Sequence, residues 1–239
     1  MVTLGVDFAA QPANTAACFV LWKKGCAEVD RLQVGVTDEE ILGFYSTADK
    51  VGIDVPFGWP TAFVAAVAAH ARLQEWPKSS IPQLRFRATD HHVHAVTGKW
   101  PLSVSTDLIG VPALRAAAIL SELSRKAVPV DRAGEGRLVE VYPAASLVRW
   151  GFAKTGKKES STLVPLFLDR VSGWLRVSEQ FKAVLATSRD AFDALIASLT
   201  ARACATGLCE AIPPEHVDYA KTEGWIALPK QGSLNRLPE

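Results

Sequence analysis

From Val2 to Phe8 the chain alternates strictly, with Val2, Leu4, Val6 and Phe8 apolar and Thr3, Gly5 and Asp7 between them. A period of two is the mark of a half-buried β-strand, and it places Asp7 on the face opposite the apolar one. Gln11 to Asn14 reads as a turn and Thr15 to Trp22 as a second strand; Lys23-Lys24-Gly25 is a tight turn into a third strand, Cys26 to Val34. Turns this short leave no room for a crossover, so the three strands predict an antiparallel meander. Thr37 ahead of Asp38-Glu39-Glu40 then opens a helix: a capping hydroxyl, acids in the first turn and Glu40 three positions on. Gly52 to Val55 follows as a short buried strand stopped by Pro56. The helical crossover that leads into it makes this fourth strand parallel to its neighbour.

Beyond Pro60 an Ala-rich helical pattern runs to about Gln74, and Trp76 to Pro112 is loop-rich. A helix is expected from Val111 to Lys126, a loop from Asp131 to Gly136, and a strand from Arg137 to Tyr142 that ends at Pro143. Two helical segments fall between Ala144 and Ala186, separated by a basic loop from Lys154 to Ser160. A last helix covers Ser188 to Ala205, and the tail past Pro213 reads as irregular. The expectation is one α/β domain over residues 1–239, with a mixed five-stranded sheet and helices on both faces. A helical and loop insertion occupies about residues 57–136. At 239 residues, 49% of them hydrophobic, such a chain builds a sizeable core without staples.

The charges nearly cancel, 26 basic against 25 acidic, so no broad field draws the chain to nucleic acid or membrane, and any polyanion contact must be local. Asp7 interrupts the short apolar start, no basic segment precedes it, and the longest apolar run is only Ala62 to Ala69. These features point away from a secretory signal or membrane span and toward a soluble cytoplasmic protein with no membrane partner. Cys18, Cys26, Cys204 and Cys209 make no CxxC pair; the first two sit in apolar strand sequence and read as reduced core thiols.

Asp7 ends the first strand and Asp54 lies near the end of the fourth. In an open sheet, ligands gather at the carboxyl ends of parallel strands, so if these strands are neighbours the two acids share a site. Asp190 and Asp193 lie three apart at the start of the last helix, beside the stripe of Phe192, Leu195, Ile196, Leu199 and Ala203. Singly, each acid is read as well by a turn or a helix cap. Together they meet the demand of hard divalent cations for several oxygen ligands.

Three meander strands, a helix, a fourth strand and a closing helix, with acids on the first strand, the fourth strand and the last helix, resemble the ribonuclease H fold. The DxxD of Asp190 and Asp193 is similar to that of Holliday-junction resolvases. More closely, the chain resembles the domain-of-unknown-function 429 family, described as predicted nucleases. The runs that carry this are GVDFAAQPANTA (Gly5 to Ala16), GIDVPFGWP (Gly52 to Pro60), RFRATDHHV (Arg85 to Val93), EVYPAAS (Glu140 to Ser146), DAFDALIASLTARA (Asp190 to Ala203) and EGWIALP (Glu223 to Pro229). The resemblance implies Asp7, Asp54, Asp190 and Asp193 as catalytic ligands of Mg²⁺ or Mn²⁺, with Glu140 as a further ligand or substrate contact. Arg85, Arg87 and Asp90 would contact phosphate or cap the site; a charged cluster that pins a loop is the equal alternative. The implied activity is metal-dependent hydrolysis of phosphodiester bonds in DNA or RNA. The alternative is a noncatalytic nucleic-acid- or nucleotide-binding regulatory protein on the same scaffold.

Gly151 to Lys158 fits GxxxxGK but has Lys158 where a P-loop needs Ser or Thr, and it follows helical sequence. Lys157 and Lys158 are kept as candidate phosphate contacts in a solvated loop. His91, His92 and His94 beside Asp90 lack a fourth ligand at zinc spacing. No GxSxG elbow is present, and Gly134 and Gly136 lack the third glycine of a dinucleotide fingerprint.

Overall fold

The computed structural model describes residues 1–152 and 160–239. Strands β1 (Val2–Asp7), β2 (Ala16–Lys23) and β3 (Cys26–Val34) form the expected antiparallel meander. Helix α1 (Asp38–Tyr45) starts at the expected cap: Thr37 Oγ1 accepts the Glu40 N–H at 3.3 Å and Glu40 Oε2 accepts the Thr37 N–H at 2.8 Å. It returns the chain to β4 (Lys50–Asp54), which lies parallel to β1.

The insertion carries α2 (Thr61–Ala71), α3 (Ile81–Arg85), α4 (Ala88–Thr97) and α5 (Gly110–Arg125). After it come β5 (Leu138–Glu140), parallel to β4, then α6 (Pro143–Arg149) and α7 (Ser160–Val171). A two-residue β6 (Leu175–Arg176), α8 (Glu179–Thr187), α9 (Arg189–Ala205) and α10 (Val217–Glu223) complete the chain. The sheet is mixed, in the order β5-β4-β1-β2-β3-β6.

It therefore has six strands and not five. The added edge strand lies in sequence expected to be helical, where two residues are too few to show a period. It is held by register with β3, Ala27 opposite Leu175, and by the Ala27 N–H donating to the Trp174 carbonyl at 2.7 Å. Two other expectations are corrected. The loop-rich stretch contains α3 and α4, and the irregular tail contains α10. In α4, histidines, threonines and valines give little intrinsic helix preference. The helix is set by its ends instead: the Asp90 carboxylate accepts the Arg87 N–H at 2.9 Å, and Gly98 takes a left-handed conformation at φ 66°.

The alternation in β1 sorts the two faces of the sheet. Leu4, Val6 and Phe8 join Val51 and Ile53 of β4 and pack on α1 and α5. Thr3, Gly5 and Asp7 face α9. Thr3 Oγ1 bonds to Ser198 Oγ at 2.8 Å and also accepts the Trp22 indole N–H at 2.8 Å. Helix α9 is buried nearly all round, so its apolar stripe is only half of its packing. Phe192, Leu195, Ile196, Leu199 and Ala203 enter the core shared with β2, β3, α7 and α8. The small residues Ala194, Ala197 and Ser198 sit directly on the backbone of β1 and β4.

That approach is possible because Gly5 and Gly52 have no side chain. A Cβ on Gly5 would collide with Ala194 O and Ser198 N, and one on Gly52 would stand 2.5 Å from Ala197 O. Gly5→Ala is therefore expected to destabilise the fold by about 3 kcal/mol, since backbone cannot yield as a side chain can. Gly43→Ala, in α1 with nothing within 4 Å of the new Cβ, should be neutral or stabilising by up to about 1 kcal/mol. Urea denaturation of both variants checks the contrast; equal effects would mean that α9 does not rest on Gly5.

Candidate acidic site

Asp7 and Asp54 are register partners on adjacent parallel strands, at the last residue of each. Both point to the α9 face, following Gly5 and Gly52 by one alternation. At its N-terminus α9 is capped by Ser188 Oγ, which accepts the Ala191 N–H at 3.1 Å, and its first turns bring Asp190 and Asp193 over the strand ends. The four acids that the sequence separates thus meet electrostatically. Asp7 is pushed up to about 8, first by burial, then by the negative charges of Asp193 and Asp190. Asp54 is raised well above the usual carboxylate range by burial and then by Asp7, Asp193 and Glu140. Burial also raises Asp193, against the pull of Arg189.

Arg189 is a member of this site to which sequence reasoning gave no role. Its Nε donates to Asp193 Oδ2 at 2.7 Å, a helical i,i+4 pair that the spacing alone could have suggested. The other oxygen, Asp193 Oδ1, is buried without a hydrogen-bond partner. Among the described residues, no three His, Cys, Asp or Glu side chains are gathered closely enough to hold an ion as they stand. The donors are all carboxylates, with one buried oxygen left over and like charges raising one another. Such a set fits a hard divalent cation better than zinc, once the side chains turn inward.

Glu140 is placed differently. In β5 it is the register partner of Ile53, one residue short of Asp54, so the pleat turns it to the opposite face from Asp7 and Asp54. There it accepts the Phe57 N–H at 2.9 Å and two bonds from Arg87, at 2.9 Å and 2.7 Å. Arg87 is 1% exposed. Its Nε and Nη2 donate to Asp90, and its Nη1 and Nη2 to Glu140, while Nη1 also reaches the Glu223 carbonyl. All five of its N–H groups are thereby used inside the protein, leaving none for a phosphate. Burial would lower its pKa, yet Glu140 and Asp90 raise it overall. Burial raises Glu140 in spite of Arg87. Arg87, Asp90 and Glu140 are thus a buried charge network, and of the two readings the pinned cluster describes the contacts.

Glu223, for which the sequence gave no signal beyond lying in a recognised run, completes that network. Its Oε1 accepts from Thr61 N and Oγ1 and its Oε2 from Ala88 N, so one carboxylate caps both α2 and α4. Gly224, at φ 89°, has no room for a Cβ beside Glu140 and Phe57. Asp54, Arg87, Glu140 and Tyr142 line a cavity of about 150 Å³ with Leu102 of the insertion and Ile226 of the tail.

Arg85 is half-buried, donating to Thr106 Oγ1 at 3.3 Å and lying 4.0 Å from Asp107, apart from the Arg87 network. Lys157 and Lys158 lie outside the described residues. The histidines of α4 pack against aromatic rings: His94 stacks on Trp100 at 4.0 Å, His91 meets its edge, and His92 lies on Trp225. No helix among the described residues is long and apolar enough to cross a membrane.

The raised carboxylates make stability depend on pH. Asp7 has a folded pKa of about 8 against 3.8 for the free side chain, so between those values the folded state holds the extra proton. Without metal, stability is then full below the unfolded value, declines as pH rises through this window and is lowest above it, by a few kcal/mol on the order of magnitude. Melts in chelator at about pH 5.5 and about pH 8.5 should show the higher stability at the lower pH. A rise toward the higher pH would mean that the acids are not mutually repelling.

Searches of curated proteins and of solved structures gave no match. The model of a family described as a protein of unknown function, DUF429, matches residues 5–218, and by that match, spanning both strand-end aspartates and the α9 pair, the chain belongs to this family.

Proposed function

We propose that the chain is a divalent-metal-dependent nuclease on a ribonuclease H-like scaffold, with Mg²⁺ or Mn²⁺ held by Asp7, Asp54, Asp190 and Asp193. The observation that carries this is the pairing of Asp7 with Asp54 at the ends of parallel β1 and β4, under the first turn of α9. The meander, α1, β4 and closing helix support the scaffold. Three carboxylates, Asp7, Asp54 and Asp193, raised by burial and by neighbouring negative charge, support the ion. When bound, it supplies Lewis-acid activation of water and neutralises charge on the reacting phosphoryl group.

The chain's own residues do the rest. Asp193 is oriented by Arg189, which leaves Oδ1 turned inward. Asp7, raised to about 8, holds its proton near neutral pH. Arg189, bonded to Asp193, and Lys99 line one small cleft of about 60 Å³, which gives a phosphate local positive charge on a chain of net +1. Glu140 acts from the other face, holding the loop after β4 through the Phe57 N–H.

The test is cleavage of single-stranded, duplex and branched DNA and RNA with Mg²⁺ or Mn²⁺, with Asp54→Asn as the control. Activity that falls at least about 100-fold in the variant supports the reading. Activity that survives removes Asp54 from the chemistry. Binding of the same substrates without cleavage by the wild type selects the noncatalytic alternative.

A further inference from the structure

Cys204 lies in the last turn of α9 and Cys209 five residues on, in a segment that bridges antiparallel to Pro229. Between them Gly207 takes φ 70°, and the Leu208 N–H donates to Ala203 O at 2.8 Å, which folds the chain back on the helix end. The two Sγ atoms are brought to 3.0 Å. Thiols in simple packing contact stay further apart, and a disulfide bond needs only about 1 Å of further approach.

The surroundings favour chemistry at this pair. Both cysteines are half-buried and free, and both line an open cavity of about 390 Å³ with Glu210, Lys221 and Trp225. The Lys50 ammonium, fixed by the Gly134 and Gly136 carbonyls, is close enough to feel both sulfurs. A buried cation of this kind stabilises a thiolate. Hydrogen bonding with Cys204 and burial push the Cys209 thiol well up, which suits Cys209 to the second, resolving step.

We infer that Cys204 and Cys209 form a reversible dithiol–disulfide site that is oxidised by low-molecular-weight disulfides of the glutathione class. The Cys204 thiolate attacks one sulfur of the oxidant, whose S–S bond breaks and releases one thiolate. Cys209 then attacks the Cys204 sulfur of the mixed disulfide, forming the internal bond and expelling the second thiolate. The two cysteines lose two electrons, the oxidant gains them, and the two cysteine protons pass to the released thiols or to solvent. The product ties the end of α9, whose start carries Asp190 and Asp193, to the Cys209 segment that bridges Pro229.

The experiment treats the full chain with oxidised glutathione, quenches in acid, alkylates free thiols and maps the peptides by mass. Cys204 and Cys209 should resist alkylation and share a bond that lowers the mass by about 2 Da, reversed by dithiothreitol, while Cys18 and Cys26 are alkylated. Cys209→Ser should instead stop at a glutathione adduct on Cys204, the resolving thiol being absent. Alkylation of both cysteines in the oxidised wild type, a wild-type product that stays at the mixed disulfide, or bonding to Cys18 or Cys26 would each overturn the site. These wild-type readouts stand even if the variant does not fold.

Discussion

Arg87→Met is expected to destabilise the protein by about 3–5 kcal/mol, because it leaves two carboxylates buried without their counter-charge. Asp90 is 0% exposed and Glu140 1% exposed, and Arg87 is the side chain that bridges them. The network also joins separate parts of the chain: α4 through Asp90, the sheet through Glu140, and the tail through the Glu223 carbonyl. Methionine replaces the stem of the side chain and none of its five donors. Arg87→Lys should recover only part of the loss, since an ammonium cannot reproduce two forked contacts. Adding Glu140→Gln and Asp90→Asn to Arg87→Met should restore part of the stability by removing the stranded charges. Urea denaturation checks the series. A loss below about 1 kcal/mol for Arg87→Met would show that Glu140 simply takes up a proton and that the network is dispensable.

Asp7→Asn is expected to do the opposite in the absence of metal. The amide removes a charge that burial penalises and that Asp193 and Asp190 repel, so at about pH 8 the variant should be more stable than the wild type by a few kcal/mol, with a flatter pH profile. The same change should abolish stabilisation by Mn²⁺, which for the wild type is about 2.7 kcal/mol at a concentration one hundred times its dissociation constant. Thermal melts with chelator and with Mn²⁺ across pH separate the cases. If Asp7 is only a strand-end turn former, the variant should be no more stable in chelator and should leave the metal response unchanged. Arg87 and Asp7 therefore test opposite electrostatic designs: one buried cation that satisfies acids, and a set of acids left unsatisfied until a cation arrives.

The strand ends were legible because alternation is local. Leu4 and Val6 against Gly5 and Asp7 determine which face Asp7 takes, whatever the rest of the chain does. The Thr37 cap and the small turn at Lys24-Gly25 are equally local, and both appear where expected. The α9 pair was legible as a pair, three apart on one helix. Its position over Asp7 was not, because that depends on Gly5 and Gly52 accepting the helix backbone.

Where the reading failed, long-range pairing had overridden weak local signals. β6 is two residues long and exists only through β3. Helix α4 has a composition that prefers other conformations and is held by Asp90, Glu223 and Gly98. The tail resembled a loop because α10 is a single short segment whose use is to deliver Glu223 to two helix starts.

By itself the sequence determined the meander, the parallel fourth strand, the closing helix and the side of the sheet on which Asp7 stands. Each follows from periodicity, turn length or capping, which act over a few residues. Only the tertiary structure decided which charges satisfy one another. Glu140 and Asp54 both lie at the ends of adjacent strands, yet a one-residue offset in register sends Glu140 to Arg87 and leaves Asp54 with Asp7. Register and helix docking are set by contacts far apart in the chain, and coulombic energy depends on the distances they produce, which no spacing in the sequence records.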